Sequence, residues 1–384
     1  MRISMIRTLL AVIVLLGGMS GRAGAQSLDL DEIKPLPSYD KELSQKDFLD
    51  RTQLVEEMPR GDKFLGFKAR LPKSWKRIGE RIDDSDGEGS QQGDVKLSRR
   101  ILGKIVKYYG TEVFTAPSRF EIQALELDQQ ITARNWFLGY ILSNGYNMQG
   151  MKVYDDTKVE ALYVTIEDSV SYVVRTLAIV NGPRMVLVSY YVPEAQFMQD
   201  RGLQEKVVQS FSFLSPEKIQ LEPTQTYSFL ELVHFDFPAN WRLLSPNIHS
   251  LQNMDARLIR LEGEKSIIGD INIKIISTEL ETSLSQEVNF LKSDIREMGL
   301  EIGDLIETPT AYTFKPHITF ARVEVYNIKP KDDTIQDHEY WLAVMAEDRY
   351  YYIVSMITPA RMADFYKWAQ NTEAFQTVIE SMRP

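Results

Sequence analysis

The chain contains no cysteine. That excludes disulfides, thiolate metal sites, a cysteine nucleophile and a lipid-modified N-terminal cysteine. Stability must therefore come from packing. Histidine is scarce as well: His234, His249, His317 and His338 all lie in the second half. None has the spacing of a metal-binding pair. His234 alternates with Val233 and Phe235, so it is expected to point to the other side of its strand. G-x-S-x-G, H-E-x-x-H, a phosphate-binding glycine loop and a dinucleotide fingerprint are all absent. There is no basic tract, and the formal net charge is −10. An acidic chain of this kind argues against nucleic acid or an anionic membrane surface as partner.

Long hydrophobic runs are missing except for Leu9 to Leu16. Arg2 and Arg7 precede that run, and Ala23-Gly24-Ala25 follows it as a cleavage site, so residues 1–25 read as an export signal. The run is short of the roughly 20 residues that span a bilayer. The expectation is a periplasmic or secreted protein, cleaved near Ala25, with no membrane span afterwards. Removing the signal removes Arg2, Arg7 and Arg22 and leaves the mature chain more acidic still.

What is present is a globular composition, 43% hydrophobic and 26% charged, over 384 residues. That length gives room for two domains with cores of their own. One stretch occurs twice. Arg175 to Pro193 and Tyr340 to Pro359 each read as two β-branched and aromatic runs around a tight turn, a β-hairpin. Leu177-Ala178 matches Leu342-Ala343, Arg184 matches Arg349, and Pro193 matches Pro359 at a near-constant offset of 165 to 166 residues. Asn181-Gly182 supplies the first turn, since both residues tolerate positive φ.

Around the hairpins the rest falls into step. Phe67 to Leu71 runs into Pro72-Lys-Ser-Trp75, and Val233 to Phe237 runs into Pro238-Ala-Asn-Trp241. Proline cannot donate to a sheet ladder and stops each strand, and each tryptophan is read as capping one end of a core. Strands are expected at 101–109, 120–127, 159–166, 271–276 and 318–328. Helices are expected at 128–144 and 283–298, each stopped by a glycine, Gly145 and Gly299. Closing helices are expected at 195–210 and 360–381. The divisions are then 1–25 signal, 26–59 N-terminal arm, 60–216 first domain, 217–226 linker and 227–384 second domain. The arm has a ragged apolar stripe from Asp40 to Met58 that reads as a surface helix. The acidic loop 83–94 tempts a calcium reading, but with Asp84 at position 1, Val95 falls where a bidentate glutamate is required. It reads as a solvated loop.

The order of strand, Pro-x-x-Trp, strands, helix, strands, hairpin and closing helix resembles the Mog1/PsbP-like fold. It is also similar to small exported bacterial domains of that group, such as the DcrB-like proteins. The residues carrying the resemblance are Phe235 to Trp241, Ile271 to Gly299, Tyr340 to Ile357 and Phe375 to Ser381. It implies an α+β class: two duplicated domains, each an antiparallel β-sheet flanked by helices as an α/β/α sandwich. It implies accessory roles, mostly non-enzymatic, with no catalytic residue, metal or cofactor to carry over, and shared fold is not shared function.

The second hairpin is crowded with aromatics. Tyr340, Trp341, Tyr350 and Tyr352 are the candidate partner-binding residues, because one face of the hairpin must be core and the other would be an aromatic patch of the kind enriched at interfaces. Burial of both faces under helices is the competing reading. The leading expectation is an exported, non-catalytic accessory or scaffolding protein that binds a protein partner in the cell envelope. The alternative is a periplasmic carrier holding a small ligand between the two domains. A hydrolase is a third possibility, and it requires a cleft holding carboxylates of raised pKa.

Overall fold

The computed structural model describes residues 33–39, 43–78, 98–110, 116–217, 221–264, 266–280, 284–297, 299–330 and 337–384. The export signal and the acidic loop 83–94 lie outside the described residues. Before residue 218 the elements are α1 (Gln45–Arg51), β1 (Thr52–Glu57), β2 (Phe67–Pro72), β3 (Lys76–Arg77), β4 (Ser98–Tyr109), β5 (Arg119–Leu127), α2 (Ala133–Asn144), β6 (Asn147–Asp155), β7 (Lys158–Glu167), β8 (Val170–Asn181), β9 (Arg184–Pro193), α3 (Glu194–Gln209) and β10 (Ser212–Phe213). After it come β11 (Thr224–Phe229), β12 (Val233–Pro238), β13 (Arg242–Ser250), β14 (Asn253–Glu262), β15 (Ser266–Ser277), α4 (Leu284–Glu297), β16 (Leu300–Glu307), β17 (Phe320–Pro330), β18 (His338–Ala346), β19 (Tyr350–Pro359) and α5 (Phe365–Ser381). Thr224 thus begins a strand inside the stretch expected to be linker.

Each half builds a seven-stranded antiparallel sheet. The orders are β3-β4-β5-β9-β8-β7-β6 and β13-β14-β15-β19-β18-β17-β16, the same connectivity twice. The hairpins sit at the centre. In the first, Asn181 pairs with Arg184 around Gly182-Pro183, and Gly182 alone of the turn takes positive φ, +60°. In the second, Ala346 pairs with Tyr351.

The first core lies on one face of its sheet. Phe120, Ile122 and Ala124 stand beside Tyr190, Val188 and Val186 in register. Leu203, Val207 and Val208 of α3 and Phe67, Ala69 and Leu71 of β2 close over them. In the second half, Ile276, Leu342, Tyr340 and Ile353 pack with Ile295 of α4. α5 covers the other side, where Trp341 meets Trp368 and Phe375.

The expected fold class is corrected. Strand makes up 51% and helix 22%, in several sheets, so the chain is mostly antiparallel β and not a pair of helix-flanked α/β/α sandwiches. Two physical reasons account for this. Strands β2 and β12, which run into the two Pro-x-x-Trp turns, form separate sheets, β1-β2-β10 and β11-β12. The proline that ends each is followed by a turn closed by Trp75 N–H to the Pro72 carbonyl and Trp241 N–H to the Pro238 carbonyl, both 3.0 Å. The turn releases the chain from one sheet before the next begins. In addition, strands such as β6 and β16 add to the sheets without the clean alternation that marks a strand in sequence.

The arm is corrected too. The helix is only Gln45–Arg51, capped by Ser44, whose hydroxyl accepts from the Asp47 amide at 3.1 Å. Thr52 then turns extended, because Thr52 to Glu57 finds ladder partners in Pro72 to Phe67. Phe48 is buried in the first core, while Leu49 and Leu54 are exposed.

Candidate functional site

α2 begins at Thr132, whose hydroxyl accepts from the Asn135 amide at 3.3 Å. The first amides of a helix have no partner within it. Here one partner comes from the other half of the chain. Glu373 on α5 presents Oε1 to the Thr132 amide at 3.1 Å, the Thr132 hydroxyl at 2.8 Å and the Asn135 side-chain amide at 2.7 Å. Its Oε2 shares only the Thr132 amide, at 3.3 Å.

A second junction lies close by. Arg260 of β14 is buried, and its guanidinium donates to Gln129 of the first half and to Gln370 and Asn371 of α5. Gln370 in turn donates to the Gln130 carbonyl at 3.5 Å. A planar fork of donors suits such a many-sided joint.

These joints border a cleft of about 440 Å³ between the two halves. Its walls carry five carboxylates, Asp156, Glu217, Glu222, Glu373 and Glu380, together with the Arg260 guanidinium. Four of the carboxylates, Glu217, Glu222, Glu373 and Glu380, are held by neighbours. Glu217 takes Arg184 at 2.8 Å. Glu380 accepts from the Thr313 amide at 2.7 Å and from Gln376 at 3.0 Å. Burial raises the pKa of Glu222 against the opposing charge of Arg260 and hydrogen bonds from Gln130 and Asn240. Burial also pushes Glu373 up to about 6, although the Thr132 and Asn135 donors oppose it. Glu373 keeps part of its surface open to the cleft.

The aromatic candidates are elsewhere, and inside. Tyr340 is 1% exposed, Trp341 4%, Tyr350 9% and Tyr352 0%. They form no surface patch. α4 covers the face of Tyr340, and α5 covers the face of Trp341. The Trp341 and Trp368 indoles donate to Glu339 Oε2 at 3.0 and 2.7 Å. Tyr350 donates to the Leu251 carbonyl at 3.3 Å and Tyr352 to Glu347 at 2.7 Å. Trp241 does line the cleft, but at 3% exposure it is part of the wall's packing and not an open floor. Trp75 packs on Tyr190, with ring centres 4.9 Å apart.

His249 lies 2.7 Å from Asp255, and His317 contacts the Met382 carbonyl at 3.1 Å. The His234 backbone pairs with Arg383. Among the described residues, no group of three or more His, Asp or Glu is placed to hold a metal. Among them too, no helix is long and apolar enough to cross a membrane.

Glu373, Thr132, Asn135, Arg260 and Glu222 were not found from the sequence. Glu373 and Thr132 are 241 residues apart, and nothing local joins them. One faint signal existed. Met254, Ala256 and Leu258 form the inward series of β14, and Arg260 continues it. An arginine in an apolar alternation marks a buried charge needing partners.

No protein-family model matches the chain, and no curated protein matches it. Among solved structures it is similar to the Ran-binding protein Mog1p of Saccharomyces cerevisiae, with 11% identity and a TM-score of 0.29, covering 42% of this chain and 95% of that one. It is similar to a point mutant of Mog1 at 11% identity and a TM-score of 0.28, again over 42% of this chain and 95% of that one.

Proposed function

We propose that this chain is an exported, non-catalytic accessory protein of the cell envelope that works by binding, and that the bound species is a small polar molecule held between the two halves. The cleft carries this reading. Its volume, about 440 Å³, falls in the range of small-molecule sites, roughly 300–1,000 Å³. Its walls come from both halves, and four of its carboxylates are fixed by neighbours before anything binds, which lowers the entropic cost of binding. Their charge favours a ligand rich in hydroxyl or amine donors. A scaffolding role through Tyr340, Trp341, Tyr350 and Tyr352 loses its surface, because all four are buried.

A hydrolase is the second reading, favoured by the raised pKa of Glu222 and Glu373. It ranks below binding because Glu373 Oε1 is already occupied by three donors that cap a helix.

The test is a thermal-shift screen of polar amines, polyols and sugars on the whole chain and on Glu222→Gln. An upshift that grows with ligand concentration and weakens in Glu222→Gln is expected. Turnover of a bound compound would favour the hydrolase. No shift, with a protein reproducibly crosslinked in envelope extracts, would replace the carrier with the scaffold.

A further inference from the structure

One of the ties between the two halves is a carboxyl whose oxygens are used unequally. Oε1 of Glu373 takes the three short bonds from Thr132 and Asn135, at 2.7–3.1 Å, and Oε2 takes only a shared contact at 3.3 Å. A proton on Oε2 would therefore remove none of the short bonds, since a neutral carboxyl keeps its carbonyl oxygen as an acceptor. We propose that Glu373 is a proton-operated tie between the two halves: the neutral carboxyl keeps all three short bonds to the start of α2 without the desolvation cost of a buried charge, and ionisation brings that cost and loosens the joint.

The surroundings act in that direction. Glu373 is half-buried at this joint, where α2 lies against α5. A carboxylate held there loses solvation that the neutral acid does not need. Asp156, from the turn after β6, faces Glu373 and disfavours its negative charge. Arg260 of β14 is the opposing cation, and it is shared with Glu222. Arg134 on α2 is turned to Asn135, at 3.3 Å. Glu380 lies two turns along α5 from Glu373, bonded to Thr313 and Gln376. The helix N-terminus favours the anion, yet burial outweighs it and the carboxyl titrates near 6.

A group whose pKa is raised in the joined state binds its proton more tightly there than when the halves part. The proton's contribution is fully present below the ordinary glutamate value, 4.5. It is lost as pH rises through about 6. Glu373 also forms part of the cleft wall, so anything bound there is exposed to the same proton.

The experiment follows thermal unfolding of the whole chain from pH 4.5 to 7.5, with Glu373→Gln and Glu373→Leu alongside. Gln places a carbonyl where Oε1 sits and cannot ionise, whereas Leu removes the tie. We expect the wild type to lose roughly 2 °C or more relative to Glu373→Gln across that range, and Glu373→Leu to be less stable than Glu373→Gln at every pH. Hydrogen exchange at the first amides of α2 should accelerate above pH 6 in the wild type beyond the intrinsic pH effect, and not in Glu373→Gln. Parallel pH profiles for wild type and Glu373→Gln would overturn the proposal. So would a Glu373→Gln protein as unstable as Glu373→Leu at every pH.

Discussion

Tyr366 on α5 rests on Gly139 of α2: a Cβ added at Gly139 would sit 2.5 Å from two atoms of the Tyr366 ring. The glycine is therefore a matter of space, since Gly139 is helical and shows no positive φ. Tyr366 also donates to the Trp136 carbonyl at 3.5 Å. The contact sets how closely α2 and α5 approach.

Gly139→Ala should lower stability by about 1–2 kcal/mol, because the overpacking cost exceeds the gain in helix propensity of about 1 kcal/mol. Combining it with Tyr366→Ala should recover part of the loss. Urea unfolding of both single variants and the double variant checks this, and strict additivity would contradict it.

Glu339→Ala should cost about 3 kcal/mol. It strands two buried indole N–H groups, Trp341 and Trp368, at roughly 1–3 kcal/mol each, and also frees the Arg361 amide that bonds Glu339 at 3.1 Å. Tryptophan emission should change along with the unfolding midpoint. An unchanged midpoint would show that the indoles find other acceptors.

Asp236 and Arg383 form a two-pronged pair at 3.0 and 3.1 Å. Burial raises the Asp236 pKa, but the Arg383 and Thr226 hydrogen bonds prevail and leave it lowered. Its contribution is then present above the ordinary aspartate value, 3.8, and is lost as pH falls through the lower folded value. Arg383→Ala should move Asp236 back up, as read by carboxyl NMR titration, and should make acid unfolding begin at higher pH.

Gly182→Ala should destabilise by about 1–2 kcal/mol. The residue sits at φ +60°, and its new Cβ would lie 2.7 Å from the Glu217 carboxyl. Glu217→Ala should relieve the steric part and leave the backbone part, which a double-mutant cycle separates.

Much of the chain's secondary structure was legible because it depends on local physics. The hairpins could be read from β-branched runs around a glycine turn. Gly145 and Gly299 marked helix ends, and both take positive φ, +63° and +82°. Pro72 and Pro238 marked strand ends, and each is followed by a turn closed by a tryptophan amide. The arm was misread because a short apolar stripe fits a helix or a strand equally well, and the choice fell to β2, a partner further along the chain.

The sequence by itself determined where the strongly patterned segments extend, coil and stop, since those choices rest on φ/ψ limits and side-chain period. Tertiary structure alone decided which strands share a sheet, which aromatics are hidden and where a site forms. Tyr350 and Tyr352 are the same residues on a surface or under a sheet, and only the packing of neighbouring elements buries them. Glu373 owes its altered acidity to burial at the joint, with Asp156 adding to the rise and the Thr132 and Asn135 donors opposing it, all three more than 200 residues distant in the chain. Electrostatics and burial act through space, and no spacing along the chain records them.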